Sequence, residues 1–198
     1  MKYPALCLAA LGLLGLGGCS VDTVSTAWHW RDFAGAPDLA HFQPLHDDLA
    51  ACGTAGCPQG EWIADKEIEA LADRVKARNP LALRIAMVGY ALTRSHDLAT
   101  THLDAAVGNM AQTDAKAFLS AATVEKAVRP EFVSQFGSQL ADDYEGQFQA
   151  LVARRAAIAS VADPALQATK GTYVAILDQA IAGADKNRVV VPPPRPVP

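Results

Sequence analysis

Three residue types that form hydrolase triads stand side by side in this sequence, as Ser95, His96 and Asp97. The members of a catalytic triad converge from separate places in a chain, whereas three successive residues point in different directions. Ser95 as a helix N-cap, with Asp97 in the first turn, explains the same residues by local structure. The motifs H-E-x-x-H, G-x-S-x-G and S-x-x-K do not occur. We therefore predict no catalytic residue and no enzymatic activity.

The histidines are poorly spaced for a shared metal ion. His41 and His46 are five residues apart, and His96 and His102 are six apart. Two ligands on one helix normally lie three or four residues apart, so we expect no metal and no other cofactor. One alternative stays open, in which an interhelical metal site is assembled from His41, His46, Asp47 and Asp48.

Acidic side chains cluster at Asp142, Asp143 and Glu145. The cluster is typical of the solvated face of a helix, and it could also meet a basic surface on a protein partner. A competing hypothesis is an enzyme that uses Glu61, Asp142 and Asp143 as acid and base. Such carboxylates would have to share a cleft and have pKa values that are pushed apart.

The front of the chain has the pattern of a secretion signal. After Lys2, an apolar run of about twelve residues extends from Ala5 to Leu16, shorter than the roughly 20 residues that span a bilayer. It ends in Leu16-Gly17-Gly18-Cys19. This ending resembles the lipobox of bacterial lipoproteins, with an aliphatic residue three places before the cysteine and small residues between them.

The resemblance covers residues 1–20 only, and the rest of the chain matches no family by inspection. It implies that residues 1–18 are a removed signal and that acylated Cys19 binds the lipid bilayer as the first mature residue. Ser20 stands where an Asp would signal retention in the inner membrane, so we expect the periplasmic face of the outer membrane. The alternative is a secreted protein without lipid.

Two thiols remain once Cys7 is removed and Cys19 is acylated. They are Cys52 and Cys57, and an oxidising compartment favours their pairing as a structural disulfide. The four residues between them are rich in Gly and Ala, which allows a tight turn. Catalytic dithiols favour a two-residue spacer, and a zinc site would need two more ligands.

The charge balance excludes one class of partner. The whole chain has a formal net charge of −4, and loss of Lys2 leaves 16 basic and 21 acidic side chains, a charge of −5. Binding to nucleic acid needs clustered Lys and Arg, so we expect no nucleic-acid partner.

Residues 19–36 are predicted to be the lipid anchor and a flexible tether with a reach of about 20 to 25 Å. Trp28, Trp30 and Phe33 lie inside this segment. Their rings could rest at the membrane interface or fold back onto the domain, and we favour the fold-back. Trp28 and Trp30 are also candidates for contact with a partner.

Residues 37–186 are predicted to form one all-α domain of about seven helices, either a bundle or an irregular helical repeat. Leu81–Thr93 is almost wholly apolar, which indicates a central helix. The first helix should break or kink near Pro44, and a helix of about thirty residues should begin at Pro130. The predicted N-caps are Asp65, Thr113 and Asp163. Residues 187–198 are predicted to be a Pro-rich, solvated tail.

These observations favour a non-enzymatic protein-binding module held at the outer membrane. Two versions are an immunity or inhibitor protein against an envelope-targeting toxin, and an accessory part of an envelope assembly. The alternative is an enzyme or metal-dependent factor that acts on peptidoglycan or another envelope polymer.

Overall fold

The computed structural model describes residues 21–52, 64–93, 97–127, 130–134 and 144–186, and every regular element in these ranges is helical. The predicted all-α fold class is confirmed. In chain order the α-helices are α1 Val21–Gly35, α2 Leu39–Cys52, α3 Asp65–Lys76, α4 Pro80–Thr93, α5 Asp97–Thr113, α6 Ala115–Val124, α7 Pro130–Ser134, α8 Tyr144–Ser160 and α9 Gln167–Lys186. A short 3₁₀ helix, Pro164–Leu166, leads into α9.

The segment predicted as a tether is helical from Val21 to Gly35 and packs on the rest of the protein, which corrects the prediction of a flexible coil. Trp30 and Phe33 are almost fully buried, so the fold-back alternative is the right one for these two rings. The Trp30 ring lies over Gly89 of α4, where an added Cβ would come within 3.1 Å of it. Trp28, in contrast, is 50% exposed.

The long helix predicted from Pro130 is wrong. Arg154 Nη1 in α8 donates a hydrogen bond to the carbonyl oxygen of Val133 in α7, at 3.0 Å. Two residues 21 positions apart in one straight helix would be separated by about 30 Å. Helices α7 and α8 are therefore not parts of one straight helix, and this division together with α1 accounts for nine α-helices in the described ranges instead of about seven.

Helices α4 and α5 form the centre of the fold. Helix α4 contacts α2, α3, α5 and α6, and α5 contacts α3, α4, α6, α7 and α8. In a helical repeat each unit contacts only its neighbours, so contacts such as α5 with α8 indicate a bundle. As predicted, α4 has an apolar surface on most sides, and its described buried side chains are Ala82, Leu83, Ile85, Ala86 and Met87. No helix within these ranges is long and apolar enough to span a bilayer.

The helix ends depart from the prediction at two of three N-caps. Asp114, not Thr113, caps α6, and its side chain accepts a hydrogen bond from the Ala117 N–H. Helix α3 begins after Ala64, whose N–H donates to the Glu67 side chain. Asp163 caps the 3₁₀ helix before α9, as expected. A break or a kink is predicted near Pro44, and the break is absent, since α2 continues through this residue.

Candidate functional site

An apolar cleft of about 230 Å³ opens between α4, α5 and α6. We call it the α4–α6 cleft. Its apolar wall consists of Pro80, Leu83, Met110, Ala117, Ala121 and Val124. Three polar residues, Arg78, Arg84 and Ser120, complete the lining. Apolar concave surfaces with a few polar groups are typical of binding sites.

The turn between α3 and α4 places two of these residues at the cleft. Arg78 has a φ of 61°, a left-handed conformation that lets the chain leave α3 sharply. Asn79 Oδ1 then accepts hydrogen bonds from the N–H groups of Leu81 and Ala82, both at 3.0 Å, and so caps α4. Pro80 occupies the first helical position, where its missing N–H costs nothing.

A buried carboxylate holds the Arg84 guanidinium in place. Arg84 Nε donates to Glu125 Oε1 at 2.5 Å, and the other oxygen, Oε2, lies 2.7 Å from His46 Nε2. The Glu125 side chain is only 5% exposed. Its two partners come from α2 and α4, while Glu125 itself directly follows the last residue of α6, so the contacts join three helices at one point. Hydrogen bonds between ionised groups are stronger than neutral ones.

Phe42 packs on both basic partners of Glu125. Its ring stacks on the His46 ring with centroids 5.1 Å apart, and the Arg84 guanidinium carbon lies 4.6 Å from its centroid. The face of an aromatic ring attracts a cation, so Phe42 restrains Arg84 further. The group Phe42, His46, Arg84 and Glu125, which we call the Glu125 cluster, positions one wall of the cleft.

A buried cation, Arg154, lies away from the cleft. Arg154 of α8 is 7% exposed, and burial lowers the pKa of its guanidinium. It reaches the Val133 carbonyl past Gly108 of α5, where an added Cβ would come within 3.0 Å of the Arg154 guanidinium carbon. The arrangement joins α5, α7 and α8 and has a structural role.

The predicted partner-contact residues are placed differently from one another. Trp28 is exposed, with the Arg31 guanidinium carbon 3.8 Å from its ring centroid. Trp30 is 1% exposed and belongs to the core, so its prediction as a contact residue is wrong. Glu145 is exposed in the first turn of α8 and accepts a hydrogen bond from Gln149.

Several predictions fall outside the described residues. The lipidation site Cys19, Cys57 of the predicted disulfide, and the carboxylates Glu61, Asp142 and Asp143 all lie there. Cys52 is the last residue of α2, and its side chain is not described. The Ser95 cap and the tail 187–198 also lie outside these ranges.

Each of the four residues of the open metal alternative has a nearer partner outside the group, and within the group His46 Nδ1 lies 3.7 Å from Asp47 Oδ1. His41 Nδ1 lies 2.9 Å from Asp38, and Asp47 accepts from the Gln43 amide at 2.8 Å. Asp48 lies 2.7 Å from His29, and His46 contacts Glu125. The structure thus does not bring these four together. Within the described ranges, no three His, Cys, Asp or Glu side chains are grouped closely enough to hold a metal ion.

Sequence reasoning missed both the cleft and the Glu125 cluster. Glu125 lies 41 residues from Arg84 and 79 from His46, so no local spacing connects them. The one usable signal is the presence of charged Arg84 inside the apolar stretch Leu81–Thr93, where a charge needs a partner.

Comparisons with known proteins assign no family to this chain. No protein-family model, no curated protein and no solved structure matches the chain.

Proposed function

We propose that this protein is an outer-membrane lipoprotein whose helical body binds another protein in the periplasm, without an enzymatic activity of its own. The observation that carries the proposal is Leu16-Gly17-Gly18-Cys19 after a short apolar run. An anchored helical body with an apolar cleft suits the capture of a partner near the membrane. An immunity or inhibitor protein and an accessory of an envelope assembly are the two versions of this role.

Because α1 begins two residues after Cys19, the proposed anchor would hold the helical body close to the bilayer. Only Ser20 separates Cys19 from Val21, the first residue of a helix that packs on the body. With Cys19 acylated, the body would lie near the bilayer instead of 20 to 25 Å away. Exposed Trp28, with Arg31 beside it, supports this placement because Trp and basic side chains favour the membrane interface.

The partner-binding half of the proposal is supported by the α4–α6 cleft. Its walls lie on helices, and the Glu125 cluster holds Arg84, so the surface is formed before a partner arrives. A preformed surface loses less conformational entropy on binding than a flexible one.

Replacement of Cys19 by Ala tests the anchor. We expect Cys19→Ala to leave the outer-membrane fraction, because no acyl chain can then be attached. Cys7→Ala is the matched control, since it removes a thiol from the same signal and leaves the proposed lipobox intact. Equal membrane retention of both variants would overturn the lipoprotein proposal.

Affinity purification of the intact chain from its native membrane, followed by mass spectrometry, tests the binding role. We expect one protein to be recovered in stoichiometric amounts, and to be lost when the cleft is filled by Ala117→Phe. Stoichiometric metal with no protein, or cleavage of an envelope polymer by the purified chain, would favour the enzymatic alternative.

A further inference from the structure

The floor of the α4–α6 cleft is made of buried apolar side chains. Leu83 is 1% exposed and Met110 4% exposed, whereas Val124 at the rim is 60% exposed. The volume of about 230 Å³ is below the roughly 300–1,000 Å³ of pockets that hold whole small molecules. The cleft is therefore suited to one large apolar side chain, with Val124 available to cover its stem.

The rim of the cleft carries uncompensated positive charge. Arg84 is paired with Glu125, so its charge is balanced inside the protein. Arg78 is exposed and makes no ion pair with any residue in the described part of the chain. A guanidinium at this position attracts carboxylates on an incoming segment.

We propose that the α4–α6 cleft binds one apolar side chain of a partner segment whose flanking residues are acidic. The inference rests on the proposed protein-binding function and names its surface. The apolar side chain displaces water from the wall around Leu83 and Met110, and a flanking carboxylate pairs with Arg78. Anchor side chains that fill such pockets provide most of the affinity of protein interfaces.

The test uses fluorescence anisotropy with three labelled peptides and the chain purified from whichever cell fraction holds it. One peptide has a central phenylalanine between two pairs of glutamates, the second has serine at the centre, and the third has lysines in place of the glutamates. We expect the first peptide to bind best. The serine peptide should bind at least about tenfold more weakly, and the lysine peptide about fivefold more weakly.

Variants assign the binding to the cleft. Arg78→Glu should weaken binding of the glutamate peptide about tenfold, while Arg78→Lys should retain most of it. Arg31→Glu on α1 is the control for the same change of net charge elsewhere. Ala117→Phe, at a half-buried position in the lining, should abolish binding, and thermal melting of each variant reports whether it folds.

Three results would overturn the assignment. The first is equal binding of the phenylalanine and serine peptides. The second is an equal effect of Arg78→Glu and Arg31→Glu on binding of the glutamate peptide. The third is saturable binding of the fatty acid laurate in the cleft, with no binding of any peptide. A native partner that is retained by folded Ala117→Phe would remove the cleft from the binding function and leave that function standing. Peptide binding by a chain that carries no acyl group would contradict the proposed lipid anchor and leave the assignment of the cleft standing.

Discussion

Glu125 is a carboxylate removed from solvent and held between two basic groups from different helices. Its environment predicts a measurable contribution to folding. Glu125→Gln keeps the shape of the side chain but removes its charge from Arg84 and His46, so it should lower the free energy of unfolding by about 1–3 kcal/mol. Urea unfolding measures the loss.

The matched control for Glu125 is Glu69→Gln on α3. The Glu69 side chain is 49% exposed and lies 3.7 Å from His102, a distance at which a solvated pair contributes little. Its loss should stay within about 0.5 kcal/mol. If both variants lose the same amount, the Glu125 cluster does not join the helices as we infer.

The contribution of Asp163 to the stability of the fold should depend on pH. The Lys116 ammonium, 3.2 Å away, and the Ala165 N–H hold the pKa of Asp163 below its usual range. A carboxyl group whose pKa is lower in the folded protein than in the unfolded chain, where it is about 3.9, stabilises the fold at pH values above the unfolded pKa. This stabilisation is lost as the pH falls through the folded pKa. Asp163→Asn keeps an N-cap side chain and removes the charge, so its melting temperature should be lower than the wild type's at pH 7.

Calorimetry at a series of pH values checks the sign of this effect. The gap in melting temperature between wild type and Asp163→Asn should close as the pH falls below about 4. Lys116→Gln should show a gap with the same pH dependence, because it removes the first cause of the shift. A gap that widens in acid contradicts the prediction.

At the scale of helices, close approach at Gly108 brings α5 against α7 and α8. An added Cβ there would lie 2.6 Å from the Phe132 carbonyl oxygen. Gly108→Ala should therefore destabilise the protein by about 1–3 kcal/mol, although alanine is the better helix former. Gly171 in α9 has no atom within 4 Å of an added Cβ, so Gly171→Ala should stabilise by about 0.5–1 kcal/mol.

Denaturant unfolding of the two alanine variants compares the same chemical change in two helices. Opposite signs are expected, because only Gly108 is covered by a neighbouring backbone. A Gly108→Ala protein as stable as Gly171→Ala would mean that α7 and α8 do not approach α5 at this point.

The helices that could be predicted are those with a regular apolar face. In α3, Ile68, Leu71, Ala72 and Val75 recur with helical spacing, and all four are buried. Helix α1 could not be predicted in this way, because its apolar residues do not recur with helical spacing and the large side chains that it buries, among those described, are two aromatic rings. Its stability comes from packing on α2 and α4, which local sequence does not report.

The candidate site was less predictable than the fold. The residues proposed for partner contact stand out in the sequence by local charge or aromatic character, and such features do not say which side chains a bundle buries. Trp30 illustrates this point, since it is two residues from exposed Trp28 and faces the core. The cleft exists because α4 and α6 are neighbours, and the packing of non-local helices cannot be derived from the spacing of residues within each one.

At the scale of the whole molecule, α1 belongs to the folded body. Trp30→Ala should cost about 3–5 kcal/mol of stability, because a large buried ring is lost from between α1 and α4. Trp28→Ala is the control and should cost less than about 1 kcal/mol, mostly from the contact with Arg31. Equal, small losses in urea unfolding would show that residues 21–35 do not pack on the domain.

The membrane attachment that we propose for the whole molecule would depend on one thiol, that of Cys19. Intact-mass spectrometry of the protein extracted from outer membranes measures this directly. We predict a chain that begins at Cys19 and carries a diacylglyceryl group and a further acyl group, with residues 1–18 absent. A chain that retains residues 1–18 and a free Cys19 thiol would contradict the lipoprotein proposal.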